Sequence, residues 1–182
     1  MHGVIFASFR DFVTSRFGPE VTKSLLAERR PYVISAAYPD EEFLGLIGDT
    51  CAATGVEMDE LVHDFGVFAG QETFPHLYPA FFAVAGSARA FMLTVEDRIH
   101  ELVRATIPDA RPPQLLVAPF GDDGVQINYS SPRRLCALLR GLAEGTALHF
   151  GEGIEIEEAA CMRRGDPACL FNIRFSEFVP AA

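Results

Sequence analysis

The length, charge and composition of the chain exclude several classes of protein. Its 182 residues suffice for one domain with a sizeable core, and a net charge of −10 argues against general binding to nucleic acids or anionic membranes. No apolar run reaches membrane-spanning length, and four irregularly spaced cysteines indicate reduced thiols, so we expect a soluble, cytoplasmic protein. Sixteen Phe and no Trp predict a Phe-rich core.

The first half of the chain has the apolar spacing of helices. Asp40 and Ser87 are the expected N-caps of two of them, since their side chains can accept a bond from the first turn. The expected helices cover 3–17, 19–28, 59–68 and 88–105, with another that begins at Asp40.

The second half alternates apolar and polar residues, as strands do, around one helix at 133–150. The glycines and aspartates of 121–124 are typical of a hairpin turn. The expected strands are 115–117, 125–129, 154–160 and 169–175. Helices followed by strands and one packed helix predict an α+β fold, and the lack of a long linker predicts a single domain, 1–182.

A phenol, a hydroxyl and a guanidinium lie close together at Tyr129, Ser131 and Arg133, where the second predicted strand ends. Ser131 is expected to cap the following helix, with Pro132 as its first residue. Such donors beside a helix N-terminus suit a carboxylate or phosphate. The alternative is that Ser131 only caps, Tyr129 fills the core and Arg133 is a surface charge.

His100 lies on the shoulder of the apolar stripe of the helix expected at 88–105. There it could face a pocket distinct from the main core, or be a half-exposed surface residue. A neutral imidazole is also a usual axial ligand of haem iron.

These residues, with several other segments, resemble the haem-nitric oxide/oxygen-binding (H-NOX) family, the gas-sensing domain of soluble guanylate cyclases and of stand-alone bacterial sensors. The resemblance covers nearly the whole chain, and its most specific element is the intact Tyr-x-Ser-x-Arg motif. The other matching segments are MHGVIF at 1–6, YPDEEF at 38–43, YPAFF at 78–82 and PDARPP at 108–113.

The resemblance implies the H-NOX fold, with haem b buried between two parts of the single domain. The distal part would be helical and span about 1–65. The proximal part, at about 66–182, would hold an antiparallel sheet with packed helices. His100 stands where the family places its ligand to ferrous iron.

Further haem contacts follow from the same resemblance. Tyr129, Ser131 and Arg133 match the residues that bind the propionates, which gives the anion site a ligand. Pro113 matches the proline that packs on the porphyrin and helps to bend it, and Ile5 matches a residue that crowds the distal face.

The distal pocket is expected to decide which gas binds. Leu138 stands where O2-binding relatives have a tyrosine, and Phe9 where some carry Trp; neither is a hydrogen-bond donor. The resemblance therefore implies a ferrous NO sensor that also takes CO and discriminates against O2. A donor from elsewhere, such as Gln71 or Tyr78, would favour the alternative of a haem O2 sensor or carrier.

The signal is expected to leave through a separate protein. By resemblance, NO weakens the His100–iron bond and shifts the helical half relative to the α/β half. No output domain follows in the sequence, so we expect a partner such as a histidine kinase or a cyclic-di-GMP enzyme. An enzyme is not expected, since no nucleophile–base pair or phosphate loop is seen.

The cysteines suggest a second metal site. Cys136, Cys161 and Cys169 match the zinc ligands of some bacterial members, but Glu158 stands where the family has histidine. His149 is a possible substitute ligand. The alternatives are a thiol redox switch or ordinary buried thiols, and Cys51 is most simply a core residue.

One further alternative is a haem-free ligand-binding module of the kind fused to bacterial regulators. The segment GDPACLF at 165–171 loosely resembles such modules.

Overall fold

The computed structural model of the chain describes residues 1–177. The expected α+β fold is confirmed, with helices first and a sheet packed on the last helix. The helices are α1 (Gly3–Phe17), α2 (Pro19–Leu26), α3 (Asp40–Thr54), α4 (Met58–Phe68), α5 (Phe74–Leu77), α6 (Pro79–Ala85), α7 (Ala88–Met92), α8 (Glu101–Thr106) and α9 (Cys136–Phe150). Within residues 1–177, no helix is both long and apolar enough to span a membrane.

The sheet is antiparallel throughout, with its strands in the order β1-β2-β4-β3. Its strands are β1 (Gln114–Phe120), β2 (Gly124–Ser130), β3 (Glu152–Ala160) and β4 (Cys169–Glu177). The predicted hairpin turn is confirmed, since Phe120 pairs with Gly124 across it. Ile127 pairs with Val117 on one side and Phe171 on the other, so its apolar side chain lies in the middle of the sheet.

The helical half has the Phe-rich core that the composition predicts. Phe9 is fully buried, and its ring centroid lies 5.5 Å from that of Phe43 and 5.1 Å from that of Phe65, both in edge-on contacts. A second core lies between the sheet and α9 and includes Ile127 and Ile173. Aromatic rings that meet edge to face add to the free energy of burial.

Glycines join the two halves where α4 crosses α9. A Cβ placed on Gly141 would lie 2.0 Å from the carbonyl oxygen of His63, and one on Gly66 would lie 2.6 Å from that of Leu138. The helices therefore meet backbone to backbone at this crossing. The expected division near residue 65 falls inside α4 and stays a prediction.

The prediction of one long helix at 88–105 is wrong, because the structure divides this segment into shorter elements. Ser87 caps it as expected, its Oγ accepting from the backbone N–H of Ala90 at 3.1 Å, but α7 ends at Met92. A turn follows, in which Thr94 Oγ1 donates to the carbonyl of Phe91 at 2.9 Å. A π-helical turn, Val95–His100, then leads into α8. The hydroxyl of Thr94 thus competes for a helical carbonyl where the helix breaks.

Two expected helix starts are also wrong. Asp40 is the first residue of α3 rather than its cap, because its carboxylate is engaged by the terminal amine of Met1 at 2.7 Å. The last helix begins at Cys136, not at Arg133, since the chain first makes a turn with Arg134 at a φ of 50°.

Candidate functional site

A largely apolar cavity of about 230 Å³ lies between the helical half and the sheet. Six of the residues predicted to bind haem line it, namely Ile5, His100, Pro113, Tyr129, Arg133 and Leu138. Ser131 and Phe9 do not line it: Ser131 is buried in the turn behind Tyr129, and Phe9 lies within the aromatic core. The structure therefore brings together residues that are up to 133 positions apart, Ile5 and Leu138.

His100 is at the end of the π-helical turn, with its side chain 15% exposed. Its Nδ1 lies 2.8 Å from Oε2 of Glu96, one turn earlier. Burial lowers the pKa of His100 below its usual 6.5, and the bond to Glu96 opposes this only in part. The imidazole is therefore neutral at pH 7, which is the form that can ligate a metal.

Arg133 forms the charged corner of the cavity, with its side chain only 7% exposed. Its Nη1 donates to both oxygens of Asp40, at 3.0 and 3.2 Å, and its Nη2 donates to the carbonyl of Arg111 at 2.6 Å. A buried guanidinium at the rim of an apolar cavity is suited to a carboxylate or phosphate on a bound molecule.

Tyr129 and Ser131 support this corner. The Tyr129 hydroxyl accepts from the backbone N–H of Leu135 at 3.2 Å, and burial raises the pKa of Tyr129. Ser131 Oγ accepts from the backbone N–H of Arg133 at 3.3 Å. The phenol thus holds the turn that precedes α9, and its proton remains available to an acceptor in the cavity.

The wall near Leu138 is mostly apolar. Leu138, Ile5 and Phe74 line it without a donor, and Gln71 is exposed and outside the lining. Tyr78, however, lines the cavity, and burial raises the pKa of its hydroxyl. Of the two donors considered from the sequence, only Tyr78 therefore meets the cavity.

His2 also lines the cavity, although no pattern in the sequence indicates a role for its side chain. Its Nδ1 accepts from the backbone N–H of Val4 at 3.1 Å, so the neutral ring carries its proton on Nε2. Burial, with the nearby amino terminus, lowers the pKa of His2 and keeps the ring neutral. In the described part of the chain, His2 Nε2 is the buried side-chain polar atom left without a partner.

The predicted cysteine cluster forms at the start of α9, where Cys136 is the first residue. The Sγ of Cys161 lies 3.8 Å from that of Cys136 and 4.0 Å from that of Cys169. With a Glu158 oxygen, the four possible ligand atoms lie within 4.8 Å of one another. Sulfurs bound tetrahedrally to zinc at about 2.3 Å would be about 3.8 Å apart, so the spacing suits zinc.

The other candidates lie away from this cluster or are engaged elsewhere. The ring of His149 packs edge-on against Phe82, with centroids 5.0 Å apart, and His149 is absent from the cluster. Cys51 packs at the edge of the helical core, as expected. Burial is the main cause that raises the pKa of Cys136 and of Cys169, so without a metal these thiols are protonated.

A family model described as haem-NO-binding matches residues 2–158, which include every residue of the cavity lining except Met1. The chain belongs to this family. It is an H-NOX domain, a type of haem-based gas sensor.

Solved H-NOX structures are similar in fold over 97–100% of this chain. The H-NOX protein from S. oneidensis in the Fe(II)NO state is 25% identical, with a TM-score of 0.89 over 97% of this chain and 100% of that chain. The Fe(II)CO form from Shewanella oneidensis gives 25% identity and 0.86 over 100% of both chains. The unliganded Fe(II) protein from K. algicida gives 25% identity and 0.81 over 100% of both. The comparison with curated proteins gives no match.

The residues of this H-NOX domain fit a haem. The cavity combines an apolar slot with a neutral histidine on one wall and a buried guanidinium at one corner. The unpartnered N–H of His2 adds a donor that an acidic group could satisfy. Glu96 and His2 were missed in the sequence, although a carboxylate four residues before His100 was a visible signal for Glu96.

Proposed function

We propose that this H-NOX domain senses nitric oxide at a ferrous haem, discriminates against O2, and signals to a separate protein when His100 releases the iron. The observation that carries the proposal is a neutral, partly buried His100 that lines the same cavity as the apolar Leu138 and Ile5. Relatives solved in the Fe(II)NO and Fe(II)CO states support NO and CO as ligands.

Haem, when bound, supplies a ferrous iron that takes a diatomic gas. His100 would be the protein ligand of this iron. Arg133, whose backbone N–H donates to Ser131 Oγ, would bind a propionate through charge-assisted hydrogen bonds, and Tyr129 would bind one through a neutral hydrogen bond. Pro113 and Ile5 line the cavity and shape the slot for the flat ring. The His2 N–H is a third donor for an acidic group.

Selectivity follows from what the cavity wall can donate. Polarised bound O2 gains from a hydrogen bond, whereas NO does not need one, and Leu138, Ile5 and Phe74 offer none. Tyr78 also lines the cavity, and its hydroxyl would be the donor in the alternative function, a haem O2 sensor or carrier. We assign NO because Leu138 occupies the position of the tyrosine in O2-binding relatives.

Signalling would begin at the π-helical turn that ends at His100. Loss of the iron bond would free this turn, and α8 directly follows it. We infer a partner such as a histidine kinase or a cyclic-di-GMP enzyme, and no catalytic activity in the domain itself. The free thiols favour the cytoplasm as the compartment.

The deciding experiment is an anaerobic absorption spectrum of the ferrous protein with and without NO, followed by exposure to air. We expect a histidine-ligated form that becomes a five-coordinate NO complex, and no stable O2 complex in air. A stable O2 complex would support the alternative sensor or carrier. A protein without a haem band after haem supplementation would support a haem-free regulatory module.

A second function, a zinc site or thiol switch, is favoured by the clustering of Cys136, Cys161, Cys169 and Glu158. We propose that the three sulfurs bind zinc and that Glu158 replaces the usual imidazole. Glu158 Oε2 lies 3.0 Å from Nη1 of Arg164, and its carboxylate has a second oxygen that could bind the metal. Metal analysis of the purified protein tests the proposal, and absence of zinc would leave a thiol switch or ordinary buried thiols.

A further inference from the structure

Glu96 connects His100 to two other parts of the fold. Its Oε2 lies 2.8 Å from Nδ1 of His100 and 3.3 Å from the backbone nitrogen of Leu115, at the start of β1. Its Oε1 accepts from Nη2 of Arg104 in α8. Both carboxylate oxygens are therefore engaged, and the side chain is only 24% exposed. This is more than an isolated ion pair on a helix surface.

The contact determines which nitrogen of His100 carries the proton. A carboxylate accepts and cannot donate, so the neutral imidazole is protonated on Nδ1. The lone pair then lies on Nε2, the ring nitrogen that Glu96 does not engage, and His100 lines the cavity. A ring held in this tautomer presents one defined coordinating atom.

A carboxylate partner also changes the ligand's strength. A histidine that donates its second N–H to a carboxylate is a more basic ligand with a fixed ring orientation, and loss of such partners weakens metal binding. In this chain the carboxylate is further held by Leu115 and Arg104, so its position does not depend on His100 alone.

We propose that Glu96 is the positioning residue of His100, fixing its tautomer and strengthening its bond to ferrous iron. The inference rests on the proposed haem function and adds to it a determinant of how readily His100 is released. A stronger bond delays release, so Glu96 sets the threshold at which NO produces the signal. The backbone N–H of Leu115 donates to the same carboxylate, so Glu96 connects His100 directly to β1.

The test compares Glu96→Gln, which keeps shape but removes charge, with Glu96→Ala and the wild type. The readout is the iron–histidine stretching frequency in the resonance Raman spectrum of the ferrous, gas-free protein. We expect the frequency to fall in Glu96→Gln and further in Glu96→Ala, with faster conversion to the five-coordinate NO form. Glu96→Asp should recover part of the shift, which a general packing defect would not do.

Asp97→Asn is the matched control, because Asp97 is on the same turn and exposed. It should leave the frequency unchanged. If haem is bound and His100 is its ligand, an unchanged frequency in Glu96→Gln would overturn the proposed role of Glu96. It would leave the proposed haem function intact. A wild type in which haem shows no histidine vibration would instead overturn the proposed function.

A second measurement covers variants that hold haem poorly. Nitrogen-15 NMR of the full chain before haem is added reports the tautomer of His100 directly. We expect the Nδ1–H form in the wild type and a mixture of tautomers in Glu96→Gln. An Nε2–H form in the wild type would contradict the proposal without any haem present.

Discussion

Nη1 of Arg133 lies 3.0 and 3.2 Å from the two carboxylate oxygens of Asp40, a residue 93 positions earlier. This ion pair joins the start of α3 to the turn before α9. Burial alone would raise the pKa of Asp40, but its bonds to the terminal amine and Arg133 outweigh burial and lower it below its usual 3.8. The pair therefore stabilises the fold above pH 3.8, and that contribution is lost as the pH falls through the lowered pKa.

Replacing Asp40 should leave Arg133 buried without its partner. Asp40→Asn is expected to lower the free energy of unfolding by about 2 kcal/mol at pH 7, in the range for a broken, partly buried charge-assisted bond. Urea unfolding at pH 7 and near pH 3 measures this, and the difference should shrink at the lower pH. Glu41→Gln, in the same turn but exposed, should have little effect. A difference that does not depend on pH would contradict the ionic role of Asp40.

His100→Gly should leave a cavity in which imidazole can replace the missing side chain. We expect haem to be retained only when imidazole is supplied, because the side chain is the proposed iron ligand. Absorption spectra with and without imidazole provide the measurement. His76→Gly is a control, since His76 is exposed and outside the cavity lining. Full haem retention and an unchanged spectrum would remove His100 as the ligand.

Leu138→Tyr should improve O2 binding, because a phenol on the cavity wall can donate to polarised O2. Tyr78→Phe should leave the NO complex unchanged, since we assign Tyr78 no role in NO binding. Spectra in air and anaerobic NO titrations measure both. Leu148→Tyr is the control, on the same helix but 39% exposed. Failure of Leu138→Tyr to change O2 binding would mean that position 138 does not face the gas.

The cysteine cluster should lose its zinc when a thiolate ligand is removed. Cys161→Ser and Cys169→Ser are expected to abolish bound metal, whereas Cys51→Ser, in the helical half, should not. Glu158→His should tighten zinc binding, because three thiolates with one imidazole form a common structural zinc site. Competition with a coloured chelator ranks the affinities. Zinc retained in both serine variants would place the metal elsewhere.

The glycine crossing of α4 and α9 should tolerate no side chain. In Gly141→Ala the new Cβ would meet the carbonyl oxygen of His63 at 2.0 Å, so we expect a loss of about 1–3 kcal/mol of stability. Gly48→Ala is the control, since a Cβ there meets nothing within 4 Å, and a gain of about 0.5–1 kcal/mol is expected. Equal effects of the two substitutions would show that the crossing is not tightly packed.

Local patterns predicted much of the fold, since α1 and the four strands follow apolar periodicities that their neighbours do not disturb. The errors arose where a side chain competes with the backbone. The Tyr129 hydroxyl takes the N–H of Leu135 and Thr94 takes the carbonyl of Phe91, so helices end or start where spacing alone does not indicate.

The site residues show a similar limit. The Tyr-x-Ser-x-Arg motif indicates Arg133 and the family resemblance indicates His100, and both line the cavity. The local sequence predicts a helix cap at Asp40, because the bond to Arg133, 93 positions away, forms only when the chain folds. The unpartnered nitrogen of His2 likewise depends on burial, which no local pattern encodes.

The π-helical turn that ends at His100 affects how α8 could move. Its hydrogen bonds enclose one residue more than those of an α-helix, so the turn contains an extra residue of chain. Rewinding it to α form would advance everything after it by about 100° around the helix axis. A change at His100 would then rotate α8 about its own axis rather than tilt it. The exposed Leu102, on that helix, would point in a different direction in each state.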